Sequence, residues 1–299
     1  MSQQLAARIA RVFQDARAAG RLVFTATTQI GITDPITGHK ISVLHAPSLA
    51  KKPGQQPKPV ANANKKPNPF LPYDPAMWVA DLDPVHVLLL NKFPVIPEHV
   101  LVVTKEFQEQ DQPLDAPDME ALVPVMEAFQ AAGKDPFAFY NCGFASGCSQ
   151  THRHIQVFPL DRAIPLEQDI AAAAQVRYAH PTHTTSTLPF AHYAAPNPRT
   201  GYGMHAAYST LLAHARADFP SAEAHNLLVT QRWMMLVPRT QARDPATGLS
   251  ANAVAYTGSS LVTTDEQIEA VRERGLLTAL VEMGCPNPRA VAVAEERGA

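Results

Sequence analysis

Apolar positions open the chain at helical spacing. Leu5, Ile9, Val12, Phe13 and Ala16 form one stripe, and Gly20 supplies a stop. The pattern then reads as a strand over 22–30. Apolar runs at 87–90 and 100–103 predict two more strands, separated by Asn91-Lys92-Phe93-Pro94-Val95-Ile96-Pro97-Glu98. A helix follows over 118–132, with Met119, Leu122, Val123 and Met126 on its apolar side, and then a strand at 137–140. Residues 161–198 hold a helix near their start and a histidine-bearing irregular part later. Beyond them the pattern predicts a helix over 203–218, strands at 226–230 and 233–237 turning at Gln231-Arg232, and a helical stretch over 265–283. Strands joined by hairpin-like connections, with only intermittent helices, predict an α+β fold over a doubly wound parallel sheet. No Rossmann or Walker phosphate loop supports the latter. The distal strands are read as extending the sheet of the first half.

Between residues 47 and 72 this patterning gives way to prolines, asparagines and lysines, which predict a long irregular excursion. Lys51, Lys52, Lys65 and Lys66 make it locally positive. Two readings stand side by side: a solubilising surface loop, or a lid facing a phosphate.

Composition narrows the partners. The 299 residues are 46% hydrophobic and 17% charged with a formal net charge of −2, far from the basic field of a nucleic-acid polymer binder. A polyphosphate would need focused positive charge or a metal. Cys142, Cys148 and Cys285 give neither a disulfide framework nor a paired zinc element. No apolar secretion core and no run of membrane-spanning length is present, so the expectation is a cytoplasmic protein without a membrane partner.

The densest chemistry lies at 141–158, NCGFASGCSQTHRHIQVF. A polar stretch punctuated by glycine runs into an alternating segment. At strand period, His152, His154 and Gln156 share one face while Ile155 and Val157 take the other. Two imidazoles and an amide in a row fill a core poorly but suit a reaction surface. Gly143, Ser146, Gly147 and Ser149 can form a bend that turns amides and hydroxyls towards an anion. The plainer alternative is a surface strand with solvated histidines.

This block resembles the histidine-triad superfamily, and specifically its ATP adenylyltransferase branch, the diadenosine tetraphosphate phosphorylases. PNPFLPYDP at 67–75, LLNKFPVIPEHVLVVTKEF at 89–107 and HNLLVTQRWMMLVPR at 225–239 resemble further blocks of that branch. The resemblance implies an α+β, histidine-triad-like fold with an antiparallel sheet and packed helices. It implies a catalytic region at 1–160, including the 47–72 loop, and a C-terminal extension at 161–299 that completes the fold. His154 falls on the family nucleophile, His152 on the first histidine, and Gln156 where many hydrolases carry a third. Asn141 and Ser149 match the family's upstream asparagine and serine. Asn91 lies where an acidic or amide residue sits near the nucleotide ribose.

The implied reaction is cleavage of diadenosine tetraphosphate by inorganic phosphate to ATP and ADP through an adenylylated His154, and its reversal. A neutral imidazole has a lone pair for this, and a backbone carbonyl on its other nitrogen would fix the tautomer. His152 is read as an organiser of the pocket. Gln156 can donate to a phosphoryl oxygen or orient the acceptor but cannot titrate near pH 7, which is compatible with phosphate as an already anionic acceptor. Ser149 and the amides around Gly143, Ser146 and Gly147 are candidates for binding phosphoryl charge. Asn141 either positions that loop or contacts phosphate, and Asn91 either holds ribose hydroxyls or makes a turn. Lys92, Lys51 and Lys52 are phosphate candidates that also suit plain exposed surface. A divalent metal, magnesium, is expected to neutralise polyphosphate charge without a dedicated protein cluster. A monomer is favoured over an oligomer. Competing readings are a hexose-1-phosphate uridylyltransferase, against which Arg153 and Ile155 replace the usual Pro and Gly, an asymmetric hydrolase using water, and a nonenzymatic nucleotide sensor. Sulfate-dependent chemistry is a secondary activity of some relatives.

Overall fold

A computed structural model of the chain describes residues 2–50, 68–175, 188–288 and 290. The chain opens with helix α1 (Ser2–Ala18), strands β1 (Thr28–Thr33) and β2 (Lys40–His45), and the single turn α2 (Pro47–Ala50). Strands β3 (Trp78–Asp81), β4 (His86–Leu90) and β5 (Val100–Thr104) follow, then α3 (Ala116–Ala131), β6 (Pro136–Cys142) and β7 (His154–Pro159). The remainder is α4 (Glu167–Gln175), β8 (Tyr193–Pro196), α5 (Gly201–Asp218), β9 (Ala224–Val229), β10 (Trp233–Arg239), β11 (Ser259–Val262), α6 (Asp265–Arg274) and α7 (Leu276–Met283).

Eight strands make one sheet in the order β3-β4-β5-β7-β6-β9-β10-β8, each pair antiparallel. β9 pairs directly with β6, so the distal strands continue the first half's sheet. A smaller sheet joins β1, β2 and β11. The α+β expectation holds.

The central strands are buried on both faces, which explains the apolar runs at 87–90, 100–103, 137–140, 227–229 and 233–237. One face of the large sheet packs Ala138, Tyr140, Ile155, Val157, Leu227 and Val229 against α1, α3 and α5. The opposite face carries Phe137, Phe139, Phe158, Leu228 and Met235 in a core shared with α4, α7 and the small sheet. Near the β3–β4 edge, Val87, Leu89, Leu101 and Val103 pack beneath Phe70. Strand register sets Val103 opposite His154 and Leu101 opposite Gln156, so these two polar side chains lie beside the apolar patch under Phe70.

Three expectations need correction. The strand expected at 22–30 starts only at Thr28. Before it, Val23 and Thr25 bond through their amides to Lys92 and Pro94 carbonyls, outside any sheet. The excursion expected over 47–72 begins with the helical turn α2 and ends in an ordered turn whose Phe70 packs at the site; Lys51, Lys52, Lys65 and Lys66 lie outside the described residues. The helical stretch at 265–283 breaks at Gly275 (φ +80), where a Cβ would sit 2.8 Å from the Asp34 carboxylate. That carboxylate accepts the Leu277 amide at 3.1 Å, so the break serves the N-terminus of α7. Among the described residues no helix is long and apolar enough to cross a membrane.

Candidate active site

β6 and β7 pair in register as far as Phe139 and Gln156. Two residues further along, Asn141 and His154 would face each other, and there the strands are parted by the carboxamide of Gln110. It accepts the His154 amide at 2.8 Å and donates to the Asn141 carbonyl at 2.9 Å and the His154 carbonyl at 3.3 Å. The main-chain carbonyl of Gln110 accepts from Tyr140 Oη at 2.8 Å and from the Gly143 amide at 3.3 Å. Gln110 thus replaces ladder hydrogen bonds with side-chain ones and opens the sheet at the histidine.

His154 is 5% exposed. Its Nδ1 lies 2.8 Å from the His152 carbonyl, which can only accept, so Nδ1 carries the proton and Nε2 keeps its lone pair. Nε2 has no hydrogen-bond partner among the described residues. Burial pushes the imidazole pKa down to about 4, against the opposing effect of the bond to the His152 carbonyl. Above that value the ring is neutral, oriented and nucleophilic.

His152 is fixed just as fully. Its Nε2 donates to the Thr104 carbonyl at 2.8 Å, while Nδ1 accepts from Asn68 Nδ2 at 2.9 Å. The Asn68 amide is itself oriented, because its Oδ1 accepts from the Phe70 amide at 2.9 Å. Burial lowers the pKa of this ring too. With both nitrogens occupied, His152 has no lone pair left for phosphorus. Phe70 rests against both imidazoles, with ring centroids 5.5 Å from His152 and 5.4 Å from His154, which places the two histidines on one face.

Gln156 is half-buried and hydrogen-bonds His99, a ring held against Phe139 and Phe158. Burial drives the His99 pKa down to about 3, so it is neutral. Asn91 Nδ2 approaches His99 Nδ1 at 3.2 Å, and its Oδ1 accepts the Phe93 amide at 3.0 Å. Asn91 therefore makes a turn and also joins the group around Gln156. Lys92 is exposed, with its ammonium 5.9 Å from the Phe93 ring centroid. Lys51 and Lys52 fall outside the described residues.

In the 143–149 loop the polar groups divide. Ser146 is buried and its hydroxyl donates to the Gly143 carbonyl at 2.7 Å. The amides of Gly143, Ser146 and Gly147 are all bonded within the protein. Gly147 has φ +85, and a Cβ there would lie 2.4 Å from the Ala251 carbonyl, so only glycine fits. Ser149 is exposed, and neither its hydroxyl nor its amide has a partner among the described residues. Ser149 is therefore the loop residue whose polar groups stay open, while Gly143, Ser146 and Gly147 shape the bend.

Asn141 lies in the wall beside His154. Its Oδ1 accepts from Asn226 Nδ2 at 2.8 Å and from the Ala253 amide at 3.1 Å. Gln110, Asn68, Phe70, Thr104, His99, Asn226 and Arg239 are the structural contributors not singled out in the sequence. All but Gln110 stand inside the blocks at 67–75, 89–107 and 225–239, the one signal that pointed to them.

The family model for the Ap4A phosphorylase N-terminal domain matches residues 1–172, and that for the ATP adenylyltransferase C-terminal domain matches 186–286. Diadenosine 5′,5′′′-P1,P4-tetraphosphate phosphorylase 2 of Saccharomyces cerevisiae is 32% identical over 96% of this chain and 96% of its own. The crystal structure of yeast Ap4A phosphorylase Apa2 in complex with Ap4A superposes with a TM-score of 0.82 at 29% identity, covering 95% of this chain and 98% of that one. The same enzyme in complex with AMP gives 0.80 at 28% identity, with the same coverage. An antiparallel sheet opened beside an oriented neutral histidine, and similarity running through both halves, lead to one assignment: the chain belongs to the Ap4A phosphorylase family, with the ATP adenylyltransferase C-terminal domain.

Proposed function

We propose that this chain cleaves diadenosine tetraphosphate by phosphorolysis to ATP and ADP, and makes the dinucleotide in reverse, through an adenylylated His154. The observation that carries this reading is the His154 ring, neutral, with Nδ1–H on the His152 carbonyl and Nε2 free. Nε2 attacks the α-phosphorus, the bridging P–O bond breaks and ATP leaves. The imidazole then bears positive charge, which the His152 carbonyl stabilises through Nδ1–H. A phosphate oxygen next attacks the same phosphorus, the N–P bond breaks and ADP leaves. Ser149 and Asn141 serve the phosphoryl oxygens, Gln156 aligns the acceptor, and Asn91 stands for the ribose.

The yeast relative named for this phosphorylase activity, and the yeast enzyme solved with Ap4A and with AMP, support the substrate class. Among the described residues no group of three or more His, Cys, Asp or Glu can hold a metal ion. Magnesium is taken as the counter-ion that polyphosphates carry, and no step is assigned to it. Incubating the protein with the dinucleotide, with and without phosphate, and resolving AMP, ADP and ATP tests the reading. Equal ATP and ADP formed only with phosphate is expected. AMP plus ATP formed without phosphate would replace phosphorolysis by hydrolysis.

Gln110 should matter through geometry alone. Gln110→Glu keeps an acceptor for the His154 amide but sets a carboxylate against the Asn141 and His154 carbonyls, where an NH2 now donates. Displacing the nucleophile in this way should slow adenylylation by about 10²-fold, the size of effect expected for an ångström of misplacement. Single-turnover kinetics on folded protein would measure it, and a wild-type rate would remove Gln110 from the positioning role.

A further inference from the structure

Arg239 lies at the end of β10 and is fully buried, yet no carboxylate pairs with it among the described residues. All its N–H groups meet neutral oxygens: Nε the Met283 carbonyl, Nη1 the Ser146 carbonyl and Asn226 Oδ1, and Nη2 the carbonyls of Gln241 and Ala251. A buried cation held only by neutral acceptors is a costly way to fill space. Its particular property is that guanidinium donates and never accepts.

That property fixes a chain of amides. Because Arg239 Nη1 must donate, the atom it meets at 2.5 Å is Asn226 Oδ1, and the Asn226 NH2 must point the other way. That NH2 donates to Asn141 Oδ1 at 2.8 Å and to the Ser146 carbonyl at 2.9 Å; the carbonyl, a pure acceptor, locks the same orientation a second time. Asn141 Oδ1 receives the Ala253 amide as well, at 3.1 Å. The Asn141 oxygen is thereby occupied from behind, and Nδ2 is the one polar atom of its side chain left without a partner among the described residues.

We propose that Arg239 and Asn226 are positioning residues that act through Asn141, holding its carboxamide so that the NH2 and not the oxygen meets the phosphoryl group transferred to His154. Both stand on β9 and β10, while Asn141 and His154 stand on β6 and β7. The C-terminal half thus sets the donor polarity of a site built on the N-terminal half. This rests on the assignment of Asn141 to the phosphoryl oxygens.

Asn226→Asp is the discriminating change. It preserves shape and still accepts from Arg239, but it cannot donate to Asn141. A carboxylate behind it should draw the Asn141 amide round to donate backwards, at the expense of its bond from the Ala253 amide, and present its oxygen to the phosphate. Single-turnover adenylylation of His154 by diadenosine tetraphosphate should slow by about 10²-fold, comparable to losing an oxyanion donor, with thermal unfolding retained. Asn141→Ala should slow it similarly, and the double variant should be no slower than Asn141→Ala within about twofold, because the second change acts only through the first. Multiplying losses, or a wild-type rate in Asn226→Asp, would overturn the proposal. Wild-type protein labelled with 15N at asparagine side chains supplies an arm that needs no variant: AMP should shift the Asn141 NH2 resonances, and their indifference at saturation would count equally against it. Absence of any His154 adduct in the wild type would instead defeat the catalytic reading, while the AMP titration would still report on the amide.

Discussion

Replacing His154 with alanine should lower turnover of diadenosine tetraphosphate by on the order of 10⁶-fold, the scale of loss when a covalent nucleophile is removed. The backbone around it is held by Gln110 and by pairing with β5, neither of which needs the imidazole. Folding and most nucleotide affinity should therefore survive. In wild type, trapping without phosphate should leave one AMP on His154, readable by mass spectrometry, and the variant should show none. The pH dependence gives a second handle. Burial holds the His154 pKa at about 4, so the acid limb of the adenylylation half-reaction should fall near that value and not near 6.5. Measuring the phosphate-free half-reaction keeps titration of the acceptor out of the profile. Labelling at another residue, with turnover retained in His154→Ala, would reject this assignment.

The nucleophile was legible because its signal is local. His152, His154 and Gln156 sit at strand period within five residues; His154 and Gln156 lie on β7 and His152 just before it, near enough in the chain for both imidazoles to meet Phe70. The carbonyl that fixes the His154 tautomer is two residues away, so it too follows from local chain geometry. Gln110 is 44 positions from His154, and Asn226 is 85 from Asn141. Their roles depend on where β5, β6, β7 and β9 lie beside one another, which periodicity does not encode. The same limit applies to secondary structure. The apolar runs within β4, β5, β9 and β10 stood out because both their faces are buried, whereas the break at Gly275 packs against a carboxylate more than 240 positions earlier. Ser146 shows the converse error: a serine in a glycine-rich bend suggests an anion ligand, but its hydroxyl is turned inwards onto Gly143.

Asp118→Ala should destabilise the fold by about 3–5 kcal/mol, because it strands two buried cationic groups at once. Asp118, in the first turn of α3, is 3% exposed. One of its oxygens meets His86 Nε2 at 3.0 Å, and the other accepts Arg153 Nη1 at 3.0 Å and the Asp115 amide at 2.7 Å. Burial alone would lower the His86 pKa, but the hydrogen bonds the ring donates to Asp118 and Asp83 more than offset it and the pKa is raised. A raised folded-state pKa means that this contribution is fully present below the unfolded value of 6.5 and is lost as pH rises through the higher folded value. Denaturant unfolding at pH 5.5 and 8.5 should therefore show a wild-type contribution that declines at the alkaline end, and Asp118→Ala should flatten that decline as well as lower stability. Arg153 links this network to the chemistry, since it sits between His152 and His154 and faces α3 while they face the site. Without Asp118 it retains only the exposed Asp115 at 3.1 Å, an ion pair worth little in water. Stability within 1 kcal/mol of wild type, with an unchanged slope between the two pH values, would show that the network under the histidine strand does not hold it.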